Sequence, residues 1–231
     1  MFHPGAVACL LGILCVLPVR AANFTGYGAL TTDYVFRGVT YSDGHGAVQA
    51  AVDLDFDSGL YAGIWGSSVD LSGGPTRRRD LEVTYYIGFN HEWRGKWIVG
   101  ANVVAYTFPG TRGDVDYDYF EYSVVGNYND RAWLEYSWSP DLFHSGADTH
   151  NLELYAEWPL SAGVMLGTGA GYYDTSELSG IGYGYWQAGI TRAFGVVDLD
   201  LRYHDTNRAV PIISTPDGAD ARLVLSARIP F

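Results

Sequence analysis

The chain has 231 residues with a formal net charge of −12, and 48% of its residues are hydrophobic. This acidity argues against nucleic acid as a partner, because phosphate backbones attract basic surfaces. The length permits one large domain or two small ones. Aromatic residues reach 15% and glycine is abundant, whereas Lys and Arg are sparse. This composition suits strands and tight turns better than helices.

Residues 1–22 are predicted to be an export signal. The segment AVACLLGILCVLP is an apolar run of about 13 residues, typical of a signal-peptide core and too short to span a bilayer. A small-residue cleavage site follows it in VRAA. Both cysteines, Cys9 and Cys15, fall inside this signal. The mature chain, residues 23–231, therefore has no disulfide and depends on closure of its fold for stability.

After the export signal, apolar and polar residues alternate with the period of two that is typical of β-strands. In the last segment, Leu223, Leu225 and Ile229 share one face, and Arg222 and Arg228 share the other. Turn signals divide the chain into about twelve such segments, near residues 25–38, 47–56, 60–70, 80–90, 96–108, 118–128, 131–139, 150–158, 164–173, 183–192, 196–205 and 221–231.

The links between these segments alternate in length. Short turns occur at DSG, HEWRG, ND, SAG and AFG, and longer polar links occur at 39–46, 71–79, 109–117, 140–149, 174–182 and 206–220. Short links on one rim and long links on the other are typical of outer-membrane barrels. We therefore predict an all-β domain, a transmembrane antiparallel up-and-down β-barrel of about twelve strands, or of ten or fourteen if one weak segment is misassigned.

Alternation alone does not say which face points inward. A secreted β-barrel or sandwich buries its apolar face, whereas an outer-membrane barrel exposes it to lipid. The many charges on the polar face suit a wet lumen, and the chain ends on Phe231, as bacterial outer-membrane barrels do where the assembly machinery reads the last residue. Aromatic residues at strand ends also resemble interfacial girdles: Tyr34, Phe36, Phe56, Phe89, Trp97, Phe120, Tyr128, Tyr136, Trp138, Trp158 and Tyr203.

Two motifs near the N-terminus add a family resemblance. TDYVFRGVTYSDG followed by GLYAGIWGSSVD resembles the start of the TorF family of porin-like proteins, also known as the Gcw_chp family. The matching residues are Asp33, Tyr34, Phe36, Arg37, Gly38, Gly59, Leu60, Tyr61, Gly63, Trp65 and Ser67. AYTFPGTRGDVDYDYFEYSV resembles the family's central pattern, and Thr32, Thr40, Ala50 and Ala51 are mild departures. The resemblance covers the mature chain and implies an outer-membrane barrel with a transport role, without catalytic residues and without a named cargo.

The charged residues of the polar face are the candidate lumen and selectivity residues. The acids are Asp33, Asp53, Asp55, Glu82, Glu121, Glu135, Glu153, Glu157, Asp198 and Asp200, and the bases include Arg37, Arg202, Arg222 and Arg228. Because rings of one charge sign set ion selectivity, the excess of acids predicts a modest cation preference. The alternative is a structural network of opposite charges that plugs a narrow lumen. Gly167, Gly169 and Gly171 share one face, where they leave space or admit bulky neighbours.

Asp33 and Arg37 are predicted to lie on one strand about 13 Å apart, too far to pair with each other. Each then needs a partner on an adjacent strand, with Asp53, Arg222 and Arg228 as candidates. Leu30, Thr32, Tyr34 and Phe36 are predicted to face lipid, and Asp33, Val35 and Arg37 to face the lumen. A structural role in barrel closure is favoured over direct substrate contact.

Two polar clusters carry weaker predictions. The run GDVDYDYFE gathers Asp114, Asp116 and Asp118 but lacks the glycine and glutamate of an EF-hand loop, so a solvated acidic rim is favoured over a calcium site. No metal or cofactor is expected. The run Arg77–Arg79 lies in a predicted long link, where it is either solvated or in contact with lipopolysaccharide phosphates.

A further polar cluster contains the residue types of a lipid-acting barrel enzyme. His144 and His150 lie in one long link with Ser145 and Asp148, and a serine with a histidine is the arrangement that such an enzyme uses. A chance grouping in a polar link is favoured, and no enzymatic activity is expected.

These observations predict a porin-like channel in the outer membrane of a Gram-negative bacterium. It would pass small solutes or ions by passive diffusion, with a mild cation preference. The expected partners are outer-membrane lipid and lipopolysaccharide, the barrel assembly machinery, and the diffusing solutes. The main alternative is a plugged barrel with an envelope-structural or binding role, and a lipid-acting enzyme comes third.

Overall fold

The structure, a computed structural model, describes residues 22–71, 80–110, 116–210 and 212–231. Within these residues, twelve strands close into an antiparallel barrel and two short strands form a separate sheet. The short strands are β2 (Val35–Phe36) and β3 (Val39–Thr40). The barrel strands are β1 (Ala22–Thr31), β4 (Ala47–Phe56), β5 (Leu60–Val69), β6 (Asp80–Trp93), β7 (Trp97–Thr107), β8 (Tyr119–Tyr128), β9 (Ala132–Ser139), β10 (Thr149–Pro159), β11 (Val164–Asp174), β12 (Tyr183–Phe194), β13 (Val197–Thr206) and β14 (Arg222–Pro230).

Each barrel strand pairs with its neighbours along the chain, and β1 closes the barrel against β14. Gly28 of β1, for example, lies opposite Ile229 of β14 on one side and Ala50 of β4 on the other. The predicted all-β up-and-down barrel of about twelve strands is thus confirmed. The predicted segments from residue 47 onward match the strands to within a few residues. The first one, 25–38, is too long, because β1 ends at Thr31.

The two rims of the barrel differ in the links that they carry. At the short-turn rim, tight turns join successive strands, as at Asn129 and Asp130, whose φ angles are 56° and 50°. At the long-link rim, the links contain short helical turns: Leu142–His144, α1 (Ser176–Ser179) and Asp217–Ala219. No helix in the described part of the chain is both long and apolar enough to cross a membrane.

The outward face of the barrel is apolar. Leu30, Val48 and Leu223 are 62%, 61% and 64% exposed, although each side chain is large and hydrophobic. A continuous belt of this kind is rare on a soluble monomer and matches the lipid-facing band of membrane barrels.

The outward face also carries most of the predicted girdle aromatics. Those that lie exposed are Phe89, Trp97, Phe120, Tyr128, Tyr136, Trp138, Trp158 and Tyr203. Phe56 is half-buried at the end of β4. In β5, whose faces the sequence left open, Leu60 and Ile64 are exposed, whereas Trp65 hydrogen-bonds to Tyr27 inside the barrel.

The first long link folds back into the barrel, and we call residues 33–46 the plug hairpin. Tyr34 is only 8% exposed, and Val39 is 1% exposed. The prediction that Tyr34 and Phe36 face lipid is therefore wrong. Arg37 and Gly38 form the turn between β2 and β3, with φ angles of 47° and 81°. Two consecutive positive φ angles are the signature of a two-residue hairpin turn. The chain therefore reverses its direction here, although the alternation of apolar and polar residues in the sequence continues.

The hydrophobic core lies inside the long-link half of the barrel, around the plug hairpin. Its buried members come from the hairpin, the strand ends and the long links: Tyr34, Val39, Tyr41, Ala47, Val69, Phe108, Tyr119, Leu142, Tyr173, Tyr183, Tyr185, Val210 and Ala219. Burial of so many large side chains at one end leaves the polar part of the lumen at the other.

Tyrosine rings on the inner wall lie over glycines of neighbouring strands. A Cβ atom added at Gly167 would collide with Tyr155, and one added at Gly171 would collide with Tyr185. The glycine row on β11 therefore admits bulky neighbours, which is one of the two possibilities that the sequence left open. Cross-strand aromatic cover of this kind also fixes the strand register.

Candidate functional site

The candidate site is the lumen, which has two parts. The plug hairpin fills the long-link half. We call the short-turn half the vestibule, which is lined by inward-facing polar side chains from several strands: Asp53, Asp55, Tyr61, Tyr86, Asn102, Glu135, Glu153, Tyr155, Glu157, Asp198, Asp200, Arg202 and Arg228.

Asp33 ties the base of the plug hairpin to the barrel wall. One of its carboxylate oxygens accepts hydrogen bonds from the hydroxyls of Thr40, at 2.6 Å, and Ser42, at 2.7 Å. The other lies 2.7 Å from Nη1 of Arg222. Arg222 was among the predicted partners, and it belongs to the strand that closes the barrel. The ion pair therefore joins the chain just after β1 to β14, at the seam.

Arg37, at the tip of the plug hairpin, reaches across the lumen. Its Nη2 lies 2.8 Å from Oε1 of Glu121 on β8, and the two side chains are 6% and 2% exposed. The guanidinium also stacks 4.7 Å from the ring of Phe36 and 4.6 Å from that of Tyr173. Burial alone would lower the pKa of Arg37, but the Glu121 carboxylate and nearby tyrosines hold it above its ordinary value. Arg37 therefore stays charged.

The partner of Arg37 corrects the sequence prediction, which placed it on a strand adjacent to β1. Glu121 belongs to β8, whereas the neighbours of β1 are β4 and β14. Because the hairpin bends inward, its tip approaches the far wall instead of the adjacent strand.

Gly38 allows the tip to sit deep in the lumen. A Cβ atom at this position would lie 2.5 Å from Cγ2 of Thr206 and 2.7 Å from Cβ of Tyr185. Its positive φ of 81° is also a conformation that residues with side chains rarely adopt. Both the turn and the close approach to the wall therefore require glycine.

Aromatic rings pack the space around the plug hairpin. Tyr34 lies 5.2 Å from Trp65 and 5.5 Å from Tyr41, and Phe36 lies 6.0 Å from Tyr106, as ring-centroid distances. These separations are those of favourable aromatic pairs. The rings therefore hold the hairpin inside the lumen through aromatic contacts.

Glu82 is enclosed in the same layer. It is 1% exposed, and its Oε1 accepts a hydrogen bond from the Tyr34 hydroxyl at 3.3 Å. Asp33, Arg37, Glu82, Glu121 and Arg222 are thus brought together around the plug hairpin. These five residues belong to the plug hairpin or pack against it, whereas the other predicted lumen residues line the vestibule.

The remaining candidate residues line the vestibule, where acids outnumber bases. The carboxylates are those of Asp53, Asp55, Glu135, Glu153, Glu157, Asp198 and Asp200, against Arg202 and Arg228. Arg202 binds Asp200 through two nitrogens, at 3.1 and 2.8 Å, and this is the one ion pair between described vestibule residues. Arg228 instead lies 4.7 Å from the ring of Tyr27.

Tyrosine hydroxyls, rather than cations, satisfy several of the vestibule acids. The Tyr86 hydroxyl donates to Asp53, and that of Tyr155 donates to Glu157 at 3.0 Å. A hydroxyl donor satisfies a lone pair without neutralising the carboxylate charge. The vestibule therefore keeps an excess of negative charge.

Two of these acids face each other directly. Glu135 of β9 and Glu153 of β10 are cross-strand partners, and both point inward. Ser137 donates to Glu135 at 3.0 Å, and the Tyr185 hydroxyl donates to Glu153 at 2.8 Å. Like charges directly opposite each other on neighbouring strands destabilise a sheet, and these hydroxyl donors offset part of that cost.

The histidine cluster of the long-link rim does not form a serine–histidine pair. Nε2 of His144 lies 3.5 Å from Asp116, and Nε2 of His150 lies 3.3 Å from Asp148. The Ser145 hydroxyl donates to the backbone carbonyl of Leu142 at 2.5 Å. The imidazoles therefore pair with carboxylates, and the serine is used in a local turn.

Other predicted features have mixed outcomes. Asp118 accepts a hydrogen bond from the backbone N–H of Phe108 at 2.7 Å, which is a structural role. The export signal, except for Ala22, lies outside the described residues, as do Asp114 and Arg77–Arg79.

Phe231, the predicted assembly signal, lies at the seam on the short-turn rim. Its backbone exchanges hydrogen bonds with Gly26 at 2.9 and 3.0 Å, and its side chain is 67% exposed. Its ring lies 6.5 Å from that of Phe24.

The sequence analysis missed the buried tyrosines that surround the plug hairpin. Tyr119, Tyr173, Tyr183 and Tyr185 lie on inward positions near the long-link rim and are at most 4% exposed. The sequence did carry a signal: these tyrosines lie on the polar face of their strands, where a water-filled lumen would favour smaller or charged residues.

Comparisons with known proteins agree with the architecture. Residues 18–223 match the family described as "Bacterial protein of unknown function (Gcw_chp)". No curated protein is significantly similar in sequence. A solved structure described as "Unveiling the Mechanism Behind the in-meso Crystallization of Membrane Proteins" aligns with a TM-score of 0.53 at 8% identity, over 90% of this chain and 83% of that chain. This likeness supports the barrel fold alone.

Two porins align with lower scores. OmpF of Salmonella typhi, in complex with daunomycin, has a TM-score of 0.46 at 10% identity, over 91% of this chain and 97% of its own. An anion-selective porin from Comamonas acidovorans has a TM-score of 0.34 at 11% identity, over 91% of this chain and 98% of its own.

Proposed function

This chain belongs to the Gcw_chp family of bacterial proteins of unknown function, and we propose that it works as a narrow outer-membrane channel for small solutes or ions. The observation that carries the proposal is the polar, acid-rich lining of the vestibule inside a barrel whose outer face is apolar. Such a barrel solvates charges only in its interior, which is the arrangement of a porin. The resemblance of the N-terminal motifs to the TorF porin-like proteins supports the same function.

The charge of the vestibule supports a cation preference. Seven carboxylates face two guanidiniums there, and Arg202 is already paired with Asp200. Excess negative charge in a low-dielectric wall raises the local concentration of cations. A salt gradient across the membrane should therefore give a reversal potential of the sign expected for cations.

The plug hairpin supports a small conductance. Its tip spans the lumen from β1 to β8 through the contact between Arg37 and Glu121. A solute that crosses the barrel must pass the hairpin, so the hairpin limits the conductance. The same packing favours a second candidate, a plugged barrel with an envelope-structural or binding role.

Single-channel conductance of the refolded protein in a planar bilayer tests the proposal. One variant replaces residues 33–46 by a short Gly-Ser link, and a control places a similar link at Ser161–Gly163, a turn on the short-turn rim. We expect small conductance steps from the natural protein and the control, and steps several-fold larger from the hairpin variant.

The possible results separate the two candidates. Steps from the hairpin variant alone would favour the plugged barrel. If neither protein conducts in any salt, the channel proposal fails. An anion-selective reversal potential would contradict the proposed cation preference and leave the channel itself standing.

We also propose that the chain is exported to the outer membrane of a Gram-negative bacterium and inserted by the barrel assembly machinery, with outer-membrane lipid and lipopolysaccharide around it. The exposed ring of Phe231 at the seam supports an assembly role. Removal of Phe231 should reduce the amount of folded barrel in the membrane fraction without changing the conductance of barrels refolded in vitro.

A further inference from the structure

A groove runs over the outward face of β7, and we call it the β7 groove. Its volume is about 590 Å³, and Ala101 and Val103 form its floor. Larger side chains of the neighbouring strands, in cross-strand register with these two residues, form its walls: Ile87 and Phe89 of β6, and Tyr122 and Val124 of β8. The groove exists because β7 carries small outward side chains between two rows of large ones.

The β7 groove lies within the apolar belt of the barrel. Its four wall residues are 44–54% exposed, and the belt continues on both sides with Ile64 and Leu134, which are 50% and 51% exposed. Hydrocarbon surrounds this level of a membrane barrel, and an unfilled gap in the wall would lose dispersion contacts. A second barrel is convex and would bridge the walls without reaching the floor. A flexible acyl chain can follow the groove and fill it.

A cation lies at the short-turn end of the same face. The guanidinium carbon of Arg94 lies 4.8 Å from the centre of the Trp93 ring. Trp93 pairs across the strands with Trp97, whose ring lies 4.8 Å from that of Tyr128. Tryptophan and tyrosine concentrate at the head-group level of a membrane, so Arg94 lies at the level of lipid phosphates.

Arg94 is available for an anion. The ion pairs among the described residues involve other cations. Glu92 and Lys96 follow the inward-facing positions in the alternation of β6 and β7, and both line a separate small pocket with Asp130. A guanidinium stacked on an indole ring keeps its N–H edge free, and that edge matches two oxygens of a phosphate group.

The distance from this cation to the groove matches one leaflet of a bilayer. Trp97 and Val103 are six residues apart on β7, about 20 Å at the rise of a β-strand. A strand tilt of about 40° reduces this to about 15 Å along the membrane normal. The hydrocarbon core of a bilayer is about 30 Å thick, so each leaflet takes about 15 Å. A lipid with its head group at Arg94 would therefore have its acyl chain at the depth of the groove.

We propose that this face of the barrel binds one phospholipid with an anionic head group. Its phosphate would accept hydrogen bonds from Arg94, beside the Trp93 and Trp97 rings. One of its acyl chains would run over Val99 and lie on Ala101 in the β7 groove. The inference rests on the proposed membrane location of the barrel and does not depend on conduction.

Native mass spectrometry of the barrel refolded in a maltoside detergent tests this site. The probes are phosphatidylglycerol, phosphatidylcholine with the same acyl chains, and glycerol 3-phosphate, which has no chains. We expect saturable binding of one phosphatidylglycerol molecule. Its affinity should exceed that of phosphatidylcholine by about fivefold, because one cation faces the head group. Glycerol 3-phosphate should show no saturable binding.

Two matched pairs of variants locate the lipid. Arg94→Asn keeps the turn, because asparagine tolerates the positive φ of 56° at this position. It should remove the preference for phosphatidylglycerol, whereas Lys96→Asn in the same turn should leave the preference unchanged. Ala101→Phe fills the floor of the groove and should weaken the binding of both lipids several-fold. Ala170→Phe, at an exposed outward position of β11, should not.

Several results would overturn the proposal. They are equal affinities of the two lipids, equal effects within either pair of variants, and saturable binding of glycerol 3-phosphate as tight as that of the lipids. A changed oligomeric mass of Ala101→Phe, without loss of lipid, would show instead that a second copy covers the groove. Because bound lipid is counted without any conductance measurement, each of these results would leave the channel proposal standing.

Discussion

The two halves of the lumen are lined by the same alternation of strand residues, yet they are filled differently. In the long-link half, the plug hairpin covers the inward-facing acids: Glu121 pairs with Arg37, and its side chain is 2% exposed. In the vestibule, acids such as Asp53 and Glu157 receive hydroxyl donors and remain partly exposed. Inward-facing charged side chains are therefore buried in packed contacts in one half and remain hydrated in the other.

This difference shows that an inward position does not by itself define a selectivity residue. Both members of a buried ion pair lose their hydration, so removal of one partner leaves the other as a buried charge without compensation. A solvated carboxylate keeps its water when a neighbour is removed. Loss of a charge should therefore lower stability much more in the long-link half than in the vestibule, and the following substitutions test this.

The largest effect is expected from Arg37→Ala. It leaves Glu121 buried without its partner, which costs about 3–5 kcal/mol of unfolding free energy. Urea unfolding in detergent micelles measures the change. The matched control, Arg37→Met with Glu121→Leu, removes both charges and should recover most of the loss. A change below about 1 kcal/mol, the size of a solvent-exposed pair, would show that the plug hairpin is not desolvated.

A smaller effect is expected from Gly38→Val. The new side chain meets Thr206 and Tyr185 and must adopt a positive φ. Overpacking and backbone strain together should lower stability by about 1–3 kcal/mol or push the hairpin outward. The control is Gly126→Val, where a Cβ atom meets nothing within 4 Å. Equal losses in the two variants would mean that the tip is not packed against the wall.

The smallest effect on stability is expected in the vestibule. Asp53→Asn combined with Glu157→Gln keeps both hydrogen-bond acceptors and should change the unfolding free energy by no more than about 0.5 kcal/mol. The reversal potential should nevertheless move towards a weaker cation preference, whereas Asp220→Asn should leave it unchanged. A large stability loss with an unchanged reversal potential would reverse the assignment of the two halves.

The sequence predicted the barrel well because alternation and turn signals are local. Segments such as Leu223 to Ile229 carry a full strand period, and the short and long links give the topology. The inward faces of β4, β10 and β13 follow directly from that period. The selectivity role of their acids stays a prediction until conductance is measured.

The plug hairpin was misassigned because its residues continue the same alternation. Asp33, Val35 and Arg37 read as one face of a strand, and Tyr34 and Phe36 as the other. A local signal was present in Arg37-Gly38 between VF and VT, since glycine in a two-residue turn marks a hairpin. The partner Glu121 was beyond reach, because the inward bend of the hairpin determines which wall it meets.

The bond between Asp33 and Arg222 also bears on the order of assembly. The two residues are 189 positions apart in the chain, so almost the whole protein must be made before they meet. Contacts of such long sequence separation form late, after the intervening chain has been organised. The hairpin is synthesised early, but its anchor becomes available only when β14 arrives. A barrel that has not yet closed therefore lacks this anchor, and its hairpin is held only by contacts to other strands, such as that of Arg37 with Glu121.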